Sequence, residues 1–419
     1  MADNSHWDWE KGIKVIHKLS KCQADVTWLE EPCASPDGEK IACIARLEDE
    51  YSVCVNGMLW EKTFEKAWYL RFSPDNRLTC LVSEDMEWTL AVDGEPWEEH
   101  YAYIWNTLFS RDGQTIAACI QQDGQYGMVV NGTAWEKLYV NANEFALSPD
   151  GKTSAAVVQK IALKEGDIFG FQEGVFSVAL NGRAWEENYV NAWTPAFGPD
   201  GQSVSAQVRK NLYDYTISVN GKPWSNFFSC IWNPEYNPAN GNISAPVRQA
   251  GKWGLAENGE IIWEPVFTQL WQQTYSDDGK NIFAIGAPSF GRWTIVHNGS
   301  PWQVTVGEML DDLVVSPDGT KAAAAAREND KWTVMTDETL WPQTYEMLWK
   351  PVFSPDSCNI AVKVKKPGKR YTVAVNGKDF KTDFSHCWEP VFSPDSQSVL
   401  IRGVEGGAYK RIVAKVNEF

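Results

Sequence analysis

The chain has 419 residues, 43% of them hydrophobic, with 38 basic and 55 acidic side chains and a formal net charge of −17. Such a balance argues against nucleic acid, whose backbone is gripped by clustered Lys and Arg, and against direct adhesion to anionic lipid. No run approaches the eighteen or more apolar residues of a membrane span, Ala322 to Ala326 being far too short.

In chain order, residues Met1 to His6 show no basic n-region and no apolar h-region, so no secretory signal is expected. Trp9-Glu10-Lys11 matches Trp60-Glu61-Lys62 and Trp135-Glu136-Lys137, which both follow Asn-Gly turns. A turn of the Ser-Pro-Asp-Gly type then begins at Ser35, Ser73, Ser110, Ser148, Gly198, Asn237, Ser276, Ser316, Ser354 and Ser393. Ser35 and Ser393 lie 358 residues apart over nine intervals, about 40 per repeat, and a period near forty with short strands is a β-propeller blade signature.

The repeat from Trp349 to Trp388 shows the blade. Trp349 to Phe353 and Asn359 to Val364 alternate as strands do, on either side of the Ser354-Pro-Asp-Ser357 turn. Tyr371 to Val375 is a third strand, Asn376-Gly377 a strong hairpin signal, and Lys378 to Asp383 the expected fourth, outer strand. The Asn-Gly turn recurs at Asn56, Asn131, Asn181, Asn220, Asn258, Asn298 and Asn376, with Asp93-Gly94 and Asp337-Glu338 as variants.

Three aromatic columns keep step. One precedes the Asn-Gly turn (Tyr51, Trp88, Tyr126, Phe176, Tyr215, Trp253, Trp293, Trp332, Tyr371) and one follows it (Trp60, Trp97, Trp135, Trp185, Trp224, Trp263, Trp302, Trp341, Phe380). The third stands five residues before the Ser-Pro-Asp turn: Trp68, Trp105, Trp193, Trp232, Trp271, Trp349 and Trp388. Nineteen of the 22 tryptophans lie on these columns. A ligand site breaks symmetry and these columns keep it, so packing between blades is the expected role.

The expected fold is all-β: one propeller over residues 1–419, of about ten four-stranded blades. The last repeat stops at Val416 to Phe419, where its Asn-Gly turn should be, so residues 7–17 are expected to supply its outer strand and remove an open edge. Two smaller propellers would need a second closure near residues 190–240, where no surplus strand is seen. The large irregularity is Gln159 to Gly174, which stretches the fourth interval to 50 residues and reads as an extra loop. It mixes Ile161, Leu163, Ile168, Phe169 and Phe171 with Lys160, Lys164, Glu165 and Asp167. Binding should sit where a uniform repeat fails, and Ile168, Phe169 and Phe171 are the candidate partner-binding residues. The alternative is a loop folded back on its own blade.

No catalytic, cofactor or metal motif is present. Haem, iron–sulfur, nucleophile-elbow and phosphate-loop patterns are absent, and the five histidines at 6, 17, 100, 297 and 386 lack metal-ligand spacing. His386-Cys387 is the only close pair, and in a strand its side chains should face opposite sides. The turn aspartates are expected to be structural. The nine cysteines, at 22, 33, 43, 54, 80, 119, 230, 358 and 387, fall singly, which suits a reduced, cytoplasmic protein.

The Trp-studded Asn-Gly-x-x-Trp-Glu repeats, length and acidity resemble, over the whole chain, the tryptophan-rich D subunit of the transmembrane redox (Tmc) complex of sulfate-reducing bacteria. The resemblance implies a non-catalytic accessory subunit without a cofactor. Its partners would be the haem- and iron–sulfur-carrying subunits of a membrane redox complex, which it would meet on the cytoplasmic side of the inner membrane. It carries over no functional residues. A second resemblance, to quinoprotein propellers, rests on a Gly shortly before a Trp. The spacing here is one residue short and the adjacent cysteine pair of many quinoproteins is missing. That resemblance would imply an enzyme with a ligand in the central channel.

Overall fold

The computed structural model describes residues 4–20 and 26–419; Cys22 and the first three residues lie outside them. The fold is a ten-bladed β-propeller, each blade an antiparallel sheet of four strands, taken in chain order in all but the last. The chain divides into two compact units. The first, residues 16–223, carries blades 1 to 5 (28–59, 66–96, 103–134, 142–184 and 191–223). The second, residues 4–15 and 224–419, carries blades 6 to 10 (230–267, 269–301, 309–340, 347–379 and 386–415).

Blade 3 shows how the sequence builds a sheet. Tyr103–Phe109, Ile116–Gln122, Gln125–Val130 and Thr133–Ala134 pair in that order. The Asn131 side chain does more than tolerate the left-handed turn (φ 46°): its Oδ1 accepts from Ile116 N at 2.9 Å, tying the hairpin to the start of the second strand. Asn56, Asp93, Asn181, Asn220, Asn258, Asn298 and Asn376 make the same bond.

The first strand of blade 3 slips register between Trp105 and Leu108, and Asn106 there has φ 53°. Blades 1, 2, 4, 5, 7 and 8 repeat the bulge, with positive φ at Glu31, Tyr69, Glu144, Thr194, Gln272 and Asp312. In blades 6, 9 and 10 the first strand is split into two short pieces around Pro234, Pro351 and Pro390, two residues after the column Trp; blade 5 holds Pro195 at the same place inside its bulge and keeps the strand continuous.

The fourth strand is shorter than expected. Blade 9 has Lys378–Asp379 rather than 378–383. Phe380 turns its ring into the core while its N–H still donates to Val373 O (2.8 Å); beyond it Thr372 Oγ1 donates to Phe380 O and Thr382 O, and the backbones pair again at the Tyr371–Phe384 bridge. The first strand of that blade also differs from the expected 349–353, being split into Met347–Leu348 and Val352–Phe353 around Pro351.

Closure of the last blade runs as expected, a few residues later. Gly12–Lys18 pairs with Ala408–Lys415. The segment before it is tied down by Asn4 Nδ2 donating to Phe392 O at 3.0 Å, by the buried Arg411 donating to Asp8 O, and by the Lys11–Glu418 pair. Trp7 and Trp9 stack there with centroids 6.1 Å apart.

The core lies between sheets. Leu81 and Leu90 of blade 2 pack with Ile104, Ile116 and Ile120 of blade 3, and Ala323 and Val334 of blade 8 with Leu348 and Val362 of blade 9. Small, β-branched middle strands let neighbouring sheets approach closely.

Candidate functional site

Most of the polar chemistry repeats from blade to blade, and it is structural. In eight turns the serine Oγ donates to the aspartate two residues on, as Ser316 does to Asp318 at 2.6 Å and Ser110 to Asp112 at 2.6 Å. In seven of these turns the same carboxylate also accepts a backbone N–H, Thr320 N at 3.0 Å in the case of Asp318. These serine and backbone bonds pull the carboxyl pKa down, to about 2 for Asp278 and Asp318, and down likewise for Asp112, Asp150, Asp356 and Asp395. Neighbouring turns are stitched together: Asp318 N donates to Ser357 Oγ and Asp356 N to Ser396 Oγ, both at 3.0 Å.

The aromatic columns divide into two roles. The Trp after the turn rests on the turn glycine of the following blade, except Trp302, whose neighbouring turn is Asp337-Glu338. A Cβ at Gly182 would stand 3.1 Å from Trp135 Cβ, and one at Gly221 3.3 Å from Trp185 Cβ and Cγ. Both glycines also have φ near +80° (81° and 79°), so backbone and neighbour demand the same residue. The other two columns meet inside one blade and also reach the next, as packing between blades requires: Trp88 lies against Tyr103 (6.2 Å) and Trp105 against Phe145 (5.9 Å) of the following blade. Trp232 stacks on Trp253 (5.3 Å), Trp271 leans on Trp293 (4.5 Å) and Trp193 stacks on Tyr215 (6.2 Å). They stand on first and third strands of one sheet, pointing to the same face.

Two departures from the repeat expose side chains that could bind. The first is the blade 4 insertion. Rather than a loop, it holds a short helix, Ile168–Glu173, that contains no buried residue. Asp167 caps it by accepting from Gly170 N at 2.8 Å. Gly174 ends it at φ 98°, where a Cβ would lie 2.9 Å from the Tyr189 backbone carbonyl carbon. Lys160 anchors the base by donating to Trp185 O (3.0 Å) and Glu186 O (2.7 Å). Of the three candidate residues, Ile168 and Phe169 are 65% and 81% exposed, whereas Phe171 is half-buried.

The second is a cleft of about 700 Å³ in the second unit. Its lining comes from the first strands of blades 6, 7 and 8 and from Lys350 of blade 9. Trp232 and Trp271 stand beside the carboxylates Glu235, Asp311 and Asp312. Asp311 is five residues before Ser316, the position held by Trp in seven other repeats. Glu235 keeps access to the cleft, but the surrounding protein disfavours its charge and pushes its pKa up to about 7. Burial and the adjacent Asp311 raise that of Asp312, against a smaller pull from Lys350. None of these carboxylates was singled out in the sequence; the available signal was Asp311's place in the Trp column, which Glu30 and Asn143 also interrupt.

Among the described residues no three His, Cys, Asp or Glu side chains converge as a metal site would require. His386 is exposed and Cys387 buried, on opposite sides of their strand. Burial raises the thiol pKa of Cys80 and Cys119, and that of Cys387 to about 12. No helix among the described residues is long and apolar enough to cross a membrane.

No family model and no curated protein matches the chain. Among solved structures it is similar to a eukaryotic initiation factor, with TM-score 0.51 and 12% identity, covering 81% of this chain and 93% of that one. The TolB protein of Acinetobacter baumannii matches over 52% of this chain and 62% of its own, at TM-score 0.27 and 14% identity. At such identities the first likeness concerns the fold alone, and the second carries no argument.

Proposed function

We propose that the protein is a non-catalytic accessory subunit of a membrane-bound electron-transfer complex of the kind found in sulfate-reducing bacteria. It docks on the complex's haem- and iron–sulfur-carrying subunits from the cytoplasmic side, with no redox group or membrane span of its own. A propeller fold supports a protein-interaction or scaffold role. The observation that carries the reading is the blade 4 helix, whose Ile168 and Phe169 lie open to solvent on an otherwise regular blade. An exposed aromatic with an aliphatic neighbour is the composition of an interface anchor. The test replaces residues 161–173 by a short Gly/Ser turn, keeping Lys160 and Gly174. Wild-type protein should co-purify from solubilised membranes with subunits that show haem and iron–sulfur absorption, and the variant should fold yet lose them. Retention of those subunits by the variant, or their absence from the wild-type preparation, would overturn the proposal.

A further inference from the structure

In the second unit the pre-turn column reads Trp232, Trp271, Asp311, Trp349 and Trp388. At its middle member an indole is exchanged for a carboxylate. The partner across the ladder is Ala325, within the all-alanine second-strand stretch Ala322 to Ala326, so no neighbouring bulk fills the space that the missing indole would occupy. The result is the cleft of about 700 Å³, a size that suits a small ligand or one anchoring side chain.

Its chemistry is one-sided. Gln272 Nε2 and Asp312 N both donate to Oδ1 of Asp311, at 2.5 and 2.8 Å, which leaves Oδ2 for another donor. Among the described residues, neither Glu235 nor Asp312 has a Lys, Arg or His nitrogen within 4.0 Å. Lys350 is the single cation against three carboxylates in the lining. Trp232 and Trp271 stand in the same wall, each backed by a second indole that fixes it. Carboxylates beside indole rings are the surroundings that stabilise an organic cation, by charge and by cation–π attraction together. The bulge beneath, with Gln272 and Asp312 left-handed, is common to most blades, and blade 1 sets Glu30 and Glu31 at the positions of Asp311 and Asp312; what this site adds is Glu235 in the same lining as two indoles.

We infer that this cleft is a binding site for an alkylammonium or guanidinium group, gripped by Glu235, Asp311 and Asp312 against Trp232 and Trp271. Lys350, in the same lining, opposes the incoming positive charge. The group belongs either to a free small amine or to an Arg or Lys side chain of a protein partner. The inference is independent of the blade 4 docking reading, since the two surfaces lie in different units.

Isothermal titration calorimetry of the full chain with agmatine, choline and a blocked Gly-Gly-Arg-Gly-Gly peptide tests it. Saturable binding of one or more is expected, weakening by about tenfold in Glu235→Gln and in Asp312→Asn, as loss of a partly buried charge partner implies. Lys350→Met should bind more tightly than wild type, an effect that mere damage to the fold would not produce. Agmatine or choline binding better than the peptide assigns the site to a free amine; the reverse assigns it to a partner's side chain. Absence of saturable binding by all three probes, or affinities unmoved by all three substitutions, overturns the inference.

Discussion

Trp135 and Trp185 occupy equivalent places, each nearly buried and each resting on the turn glycine of the next blade, yet the same substitution should act differently on them. Trp135 Nε1 donates to Ser154 Oγ at 2.8 Å, whereas Trp185 Nε1 is buried with no partner. Replacing either by Phe removes roughly 50 Å² of apolar burial, about 1 kcal/mol at the usual coefficient. At Trp135 a hydrogen bond is lost as well, a further ~1 kcal/mol, although Ser154 keeps its bond to Asn181. At Trp185 the change removes an orphaned donor whose burial costs about 1–3 kcal/mol, which offsets the lost area. Trp135→Phe should therefore destabilise by about 2 kcal/mol, and Trp185→Phe should be near neutral or stabilising. Urea unfolding followed by far-UV circular dichroism reads the difference without relying on the altered indole emission. Equal midpoint shifts for the two variants would refute the reasoning, because the donor's partner would then carry no weight.

Removing residues 1–17 should strip the outer strand from blade 10, open an edge along Ala408–Lys415 and lower stability by several kcal/mol, through lost ladder bonds and aromatic burial. An unchanged thermal midpoint would rule out the shared blade. The turn aspartates set an acid limit. With folded pKa values depressed to about 2 for Asp278 and Asp318, their stabilisation is fully present above the unfolded value near 4 and lost as pH falls through about 2. The thermal midpoint should fall across that window and Asp318→Asn should show a shallower dependence; parallel curves for variant and wild type would contradict this.

What was legible in the sequence was what every blade must repeat. Asn-Gly and Ser-Pro-Asp leave the same mark wherever they occur, because left-handed φ and local carboxylate bonding admit few residues. The bulge in seven of the first strands was not legible: Glu31, Tyr69, Thr194 and Gln272 share no chemistry, and the sheet rather than the residue imposes the conformation. The fourth strand was overextended, since Lys378 to Asp383 alternates acceptably and only the inward turn of Phe380 shows where pairing stops. The insertion was legible as an interruption but not as a helix, whose six residues hold too weak a pattern. The acidic cleft was hidden because carboxylates are common in so acidic a chain; Asp311 matters through the tryptophan it replaces.

The seating of the post-turn Trp on the following blade's turn glycine has a historical consequence. A forty-residue segment bearing Asn-Gly-x-x-Trp carries both halves of the joint, a socket facing backward and a plug facing forward. Tandem duplication of such a segment would arrive already compatible with both flanks, and deletion would leave two compatible ends facing each other. Blade number is then a quantity that recombination can change in single steps, without the coordinated point substitutions that altering most cores requires. Blade 8, with Asp337-Glu338 in place of the socket, is where such an exchange would meet resistance.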